Sequence, residues 1–120
     1  VLSDENNYLF KQEKILPANE VFVISTKNEN NKIYVEWRIR ENYYLYFDSI
    51  KIQNKKEPIM YKILESSVYE TEDEYFGKTK IYKDYLKIVF NDNYDESDHA
   101  IFYQGCAEHG FCYPIQKYIL

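Results

Sequence analysis

Cys106 and Cys112 are the only thiols in a chain of 120 residues, with five residues between them in the segment YQGCAEHGFCYP, Tyr103 to Pro114. Three chemistries suit such a pair. As a local disulfide it would restrain the unfolded chain by somewhat less than the roughly 3 kcal/mol expected of a 15-residue loop. With His109 between the cysteines and His99 upstream, the four side chains offer a zinc ligand set. Zinc sites, however, usually bring two cysteines within about two to four residues of each other, and no second knuckle follows. As a redox pair, Cys106 and Cys112 would cycle between dithiol and disulfide through a mixed disulfide with another protein. If the strands before Cys106 and after Cys112 pair as a hairpin, their Cα atoms can come within the roughly 4.4–6.8 Å that a disulfide needs. Gly105 and Gly110 would then allow close approach of a partner's backbone. The C-x-x-C spacing of thioredoxin is absent, and so is its βαβ context. Spacing alone leaves staple and shuttle both open.

Two acidic stretches are the other concentrations of titratable groups. ESSVYETEDEYFG carries Glu65, Glu70, Glu72, Asp73 and Glu74, and NDNYDESD carries Asp92, Asp95, Glu96 and Asp98. Both read as solvated loops. The first is the more distinctive, because Tyr75 and Phe76 follow its acids directly and Gly77 ends the run.

The elements that must position these residues read as strands. KIYVEWRIR alternates, with Ile33, Val35, Trp37 and Ile39 facing one way and Tyr34, Glu36, Arg38 and Arg40 the other, the period of a half-buried strand. Glu20 to Thr26 precedes it across the turn-forming KNENN. Tyr43 to Phe47 and Ser49 to Ile52 follow, with a kink near Asp48. Further strands are expected over Ile59 to Leu64, Thr79 to Phe90 (two strands or one bent strand), His99 to Gly105 and Tyr113 to Leu120. No stretch sustains helical apolar spacing. The 14 tyrosines fit pleated, half-buried surfaces. The expectation is one all-β domain over 1–120, an antiparallel sandwich, with 1–15 as an extended N-terminal segment. The cysteines are too close in sequence to be the cross-core bridge of an immunoglobulin domain.

Composition narrows the function classes. A net charge of −5 and a pI near 5.1, with Lys and Arg scattered, leave no electrostatic footprint for nucleic acid. No apolar run reaches the ~20 residues that span a bilayer, and VLSDENNYLF lacks the pattern of a signal peptide, so the chain reads as a soluble piece.

YQGCAEHGFCYP resembles the active-site segment of the N-terminal domains of the DsbD family, bacterial inner-membrane thiol:disulfide interchange proteins. Their pattern is Tyr-Gln-Gly-Cys-Ala-x-x-Gly-Phe-Cys-Tyr-Pro-Pro. LPANEVF (Leu16 to Phe22), the Trp37 strand leading into YYLYFDSIKI, and EDEYFGKTKIYKDYLKI (Glu72 to Ile88) are similar in type and order. The resemblance implies an immunoglobulin-like β-sandwich in the periplasm, attached to the membrane only through the full-length protein, with Cys106 and Cys112 as its redox pair and no dissociable cofactor or metal. It implies electron flow from the thioredoxin-like C-terminal domain of the same polypeptide to a DsbC-like disulfide isomerase and cytochrome c maturation thioredoxins. By position, Cys112 matches the cysteine that joins the partner and Cys106 the resolving one. DEYFG matches the cap loop, with Tyr75 at the capping position where phenylalanine is usual and Phe76 its neighbour. Tyr44 and Tyr46 match the walls of the site, and Asp73 and Glu74 the acids beside it. Ile115 replaces the family's second proline. His109 lies outside the shared motif; it reads either as an exposed loop residue or as an imidazolium favouring thiolate at Cys112. The rival reading is a non-enzymatic sandwich with an inert local disulfide.

Overall fold

The structure, a computed structural model, describes residues 15–92 and 99–120. Residues 1–14 of the extended segment expected over 1–15, and the loop reading of Asp95, Glu96 and Asp98, lie outside the described residues.

A single helical turn, α1 (Ala18–Val21), follows Pro17, so the strand expected from Glu20 starts two residues later. Strands β1 (Phe22–Glu29) and β2 (Lys32–Ile39) form a hairpin closed by Asn30 and Asn31, at φ 53° and 61°. Asparagine tolerates this left-handed region, and two consecutive residues there match the twist of the flanking strands. β3 (Tyr43–Tyr46) comes next, and a 3-10 turn over Phe47–Ser49 makes the kink expected near Asp48. Then follow β4 (Lys51–Asn54), β5 (Glu57–Ile59), β6 (Lys62–Asp73), β7 (Gly77–Asn91), β8 (His99–Tyr103), β9 (Gly105–Ala107), β10 (Phe111–Cys112) and β11 (Gln116–Ile119).

All pairings are antiparallel. One sheet runs β1-β2-β7-β3-β9-β10, with β6 on the free side of β7, and the other runs β11-β8-β4-β5. The two pack as an immunoglobulin-like sandwich. The alternation of β2 is observed as read: Ile33, Val35, Trp37 and Ile39 are buried, and Trp37 meets the edge of Tyr103 from the opposite sheet. The chain changes sheet twice at one corner, after β3 and after β8. Ser49 ties these crossings together, its Oγ lying 2.7 Å from Tyr46 O and accepting the Gln104 N–H at 3.0 Å.

The largest departure from expectation is β6. The acids Glu65, Glu70 and Glu72, read as part of a loop, belong to a twelve-residue strand, and only Glu74 to Phe76 form the connection to β7. Their charge is answered across the ladder: Glu65 stands opposite Lys87, Glu70 opposite Lys80 and Glu72 opposite Lys78. Opposite charges facing each other stabilise a strand pair, so a run that looks solvated in one dimension is paired in two. The strand expected over Ile59 to Leu64 is split at Met60 and Tyr61, and Thr79 to Phe90 is one strand bent at Asp84, φ 67°.

Candidate redox site

β3 is covered on both faces, which is why YYLY reads as an unbroken hydrophobic run. Tyr43 and Leu45 enter the main core, while Tyr44 and Tyr46 point the other way and form a separate buried cluster with Ile81 and Cys106. β9 lies between β3 and β10, so that Cys106 stands opposite Tyr44 on one side and Cys112 on the other. Tyr113 N–H donates to Gly105 O at 3.0 Å, which leaves the cysteines in the closely spaced, non-hydrogen-bonded position of the ladder. Their Cα atoms are 4.0 Å apart, nearer than the range expected from sequence, and the sulfurs are bonded. Gly105 is required here, since a Cβ would lie 2.3 Å from Tyr44 O and 2.5 Å from the Phe22 ring.

The end of the β6–β7 hairpin closes over this cluster, and Asp73 organises the closure. Its Oδ1 accepts the N–H groups of Tyr75 at 2.6 Å and Phe76 at 3.0 Å, which shapes the connection. Its Oδ2 accepts the hydroxyls of Tyr44 and, at 2.8 Å, Tyr46. Burial works to raise the Asp73 carboxyl, but these bonds outweigh it and hold the group below the ordinary carboxylate value. On the other side of the same contact, burial first and the Asp73 bond second push Tyr44 up to about 12 and raise Tyr46 as well.

The two cap aromatics grip different elements. Phe76 meets the Tyr46 ring edge-on at 4.8 Å, and the Tyr75 hydroxyl donates to Gly110 O at 2.8 Å, inside the loop between the cysteines. Gly77 at φ +72° and Gly110 at φ +103° occupy conformations that suit a residue without Cβ. The Tyr46 hydroxyl proton goes to Asp73, so its oxygen faces the sulfurs with lone pairs, 3.1 Å from Cys106 Sγ and 3.7 Å from Cys112 Sγ. Cys106 is wholly buried, whereas Cys112 is partly exposed.

Thus Cys106, Cys112, Tyr44, Tyr46, Asp73, Tyr75 and Phe76 converge on one end of the sandwich, with Gly77 ending the loop and exposed Glu74 beside Gly110. His109 is exposed, and its ring packs 6.3 Å from that of Tyr43, a side chain on the core face of β3 rather than the sulfur face. Cys106, Cys112, His109 and His99 are not assembled as ligands: His99 is buried beside Phe90, and among the described residues no group of three His, Cys, Asp or Glu side chains is placed to hold a metal. Two contributors escaped the sequence reading. Ile81, the floor under the tyrosines, carries the alternation of β7 as its only signal, and Ser49 carries none.

Residues 12–119 match the family model described as "Thiol:disulfide interchange protein DsbD, N-terminal". The curated thiol:disulfide interchange proteins DsbD of Shigella boydii and Vibrio cholerae are each 32% identical, over 86% and 91% of this chain. The chain spans only 18% of the length of each. Among solved structures, the reduced N-terminal domain of Neisseria meningitidis DsbD superposes with a TM-score of 0.73 at 26% identity, covering 88% of this chain and 89% of the other. The same organism's complex between the DsbD and PilB N-terminal domains matches with a TM-score of 0.60 at 25% identity, covering 89% and 88%.

Proposed function

The chain belongs to the family of DsbD N-terminal domains, and from that premise we propose that it is a protein-disulfide reductase module working through the Cys106–Cys112 pair. The observation that carries the reading is the disulfide itself, between directly opposed residues of neighbouring strands under a hydrogen-bonded cap. In the dithiol form, Cys112 as thiolate attacks a partner disulfide and forms a mixed disulfide, expelling one partner thiolate. Cys106 then attacks Cys112 Sγ, the intermolecular bond breaks, and the partner leaves as a dithiol while Cys106–Cys112 reforms. Two electrons pass to the partner, and its sulfurs take up two protons. The greater exposure of Cys112 supports this division of roles, because the attacking sulfur has to meet the partner first. Asp73, reached through the Tyr46 hydroxyl, supplies a negative charge that favours the protonated thiol until a partner docks.

The source of electrons in this reading is a thioredoxin-like C-terminal domain of a longer polypeptide. The acceptors are periplasmic: a DsbC-like isomerase and cytochrome c maturation thioredoxins. A neighbouring structure pairs such a domain with the PilB N-terminal domain, which supports a folded protein domain as the partner. The cap supports it too, since a dithiol in an oxidising compartment has to be shielded until its partner docks.

Alkylation under graded glutathione buffers tests the proposal. A shuttle titrates among the redox carriers, roughly −120 to −270 mV, whereas an inert structural bridge resists reduction until below about −300 mV. Covalent trapping tests the roles: Cys106→Ala should accumulate a mixed disulfide and Cys112→Ala should not.

A further inference from the structure

A groove of about 510 Å³ leaves the redox site between Tyr46 and Phe76 and runs along the side of the sandwich to Phe102. A second hollow, of about 370 Å³, continues it over Phe102 and Gln53 to Ile119, since both depressions share those two residues. Lys51 and Lys78 line the first part, and Lys55, Lys56 and Lys117 the second; among the described residues, Asp48 is the one carboxylate lining either. In a chain of net charge −5 this is a local reversal of sign.

The backbone at the far end of the groove is equally distinctive. Lys55 and Lys56 form the two-residue turn between β4 and β5 at φ 49° and 72°, the geometry that Asn30 and Asn31 adopt between β1 and β2. The β1–β2 turn uses a residue that tolerates the left-handed region. The β4–β5 turn places there two long side chains that do not favour it, at a cost in strain. A turn that gives up stability for two cations at the end of a groove is a functional candidate.

We propose that this groove docks an acidic, extended segment adjoining the reactive disulfide of the thiol:disulfide partner. Carboxylates of that segment would meet Lys51, Lys56 and Lys117, its apolar side chains would lie on Phe102, and its disulfide would arrive beside Phe76 at the cap. Opposed charge at a distance from the sulfurs orients the encounter and raises its rate. The proposal rests on the redox reading for its partner class, but its charge preference can be measured separately.

The probes are three synthetic disulfide-bonded peptides with an acidic tail, a lysine tail or no tail, added to the prereduced protein at low ionic strength. Rates are divided by that of the untailed peptide. The acidic tail should react about tenfold faster than the lysine tail, and the ratio should fall towards one as salt is added. In Lys51→Glu/Lys56→Glu/Lys117→Glu the preference should vanish or invert. Lys55→Asn/Lys56→Gly, which relaxes the turn, should raise the melting temperature while weakening the preference, so lost docking cannot be put down to misfolding. Equal rates for both tails in the wild type would overturn the docking and leave the redox reading standing. If no peptide is reduced, the redox reading fails, and fluorescence anisotropy of the labelled acidic peptide decides the docking: lysine-dependent binding supports it and no binding overturns it. Lysine-dependent sedimentation with phosphatidylglycerol vesicles, without peptide preference, would overturn it in favour of a lipid surface.

Discussion

Asp73 takes four hydrogen bonds on one buried carboxylate, and its two oxygens act on different elements. Oδ1 shapes the cap connection, while Oδ2 holds the wall tyrosines. Its native pKa lies below the unfolded value of about 3.9, so the stabilisation is complete at neutral pH. It is lost as pH falls through the lowered native value. Asp73→Asn presents a donor where Oδ2 accepted, and should cost about 1–3 kcal/mol at pH 7. Thermal melts of both proteins across pH should show the difference shrinking below about pH 4; a constant difference would mean that charge is not the cause. Tyr75→Phe tests the neighbouring contact, because it keeps the ring and deletes the hydroxyl that donates to Gly110 O. Reduced Tyr75→Phe should oxidise with small disulfides about 2–10 times faster than wild type, the scale of one lost hydrogen bond. At this scale the sequence was informative where a motif names the residue type, as at Cys106, Cys112 and Asp73. It was silent where the partner is a main-chain atom, as with Gly110 O, since a carbonyl leaves no mark in a one-letter code.

At the scale of elements, pairing decides what a segment becomes. The alternation of β2 could be read from its own residues, because burial on one face writes itself into the pattern. β6 could not, because its acids are stabilised by the lysines of β7 and most of its side chains are exposed. The short β9 is the opposite case, with all three residues buried and no room to vary. Gly105→Ala would drive a methyl into Tyr44 O and the Phe22 ring, so β3 and β9 would have to separate. Overpacking of that kind costs about 1–3 kcal/mol or more, and here the displaced strand also carries Cys106. The expected result is a lower melting temperature together with an altered reduction potential. A lower melting temperature with an unchanged potential would show that the cysteines do not depend on that ladder for their geometry.

For the whole molecule, the decisive feature is that the core and the redox cluster lie on opposite faces of one sheet. Trp37, Leu45, Leu86 and Ile101 belong to the core, and Tyr44, Tyr46, Ile81 and Cys106 to the cluster outside it. On the proposed function the chain spends part of its cycle as a dithiol, so its fold cannot depend on the bond it breaks. The bridge joins residues only 6 apart in sequence, and a loop that short contributes roughly 2 kcal/mol through the unfolded state. For a chain of this size that is roughly 6–10 °C of melting temperature. Thermal unfolding followed by circular dichroism, with and without excess tris(2-carboxyethyl)phosphine, should therefore show two cooperative transitions separated by no more than about 10 °C, with the same starting spectrum. Loss of the native spectrum on reduction would mean that the disulfide holds the sandwich together, and a bond with that duty could not be opened and closed once per partner.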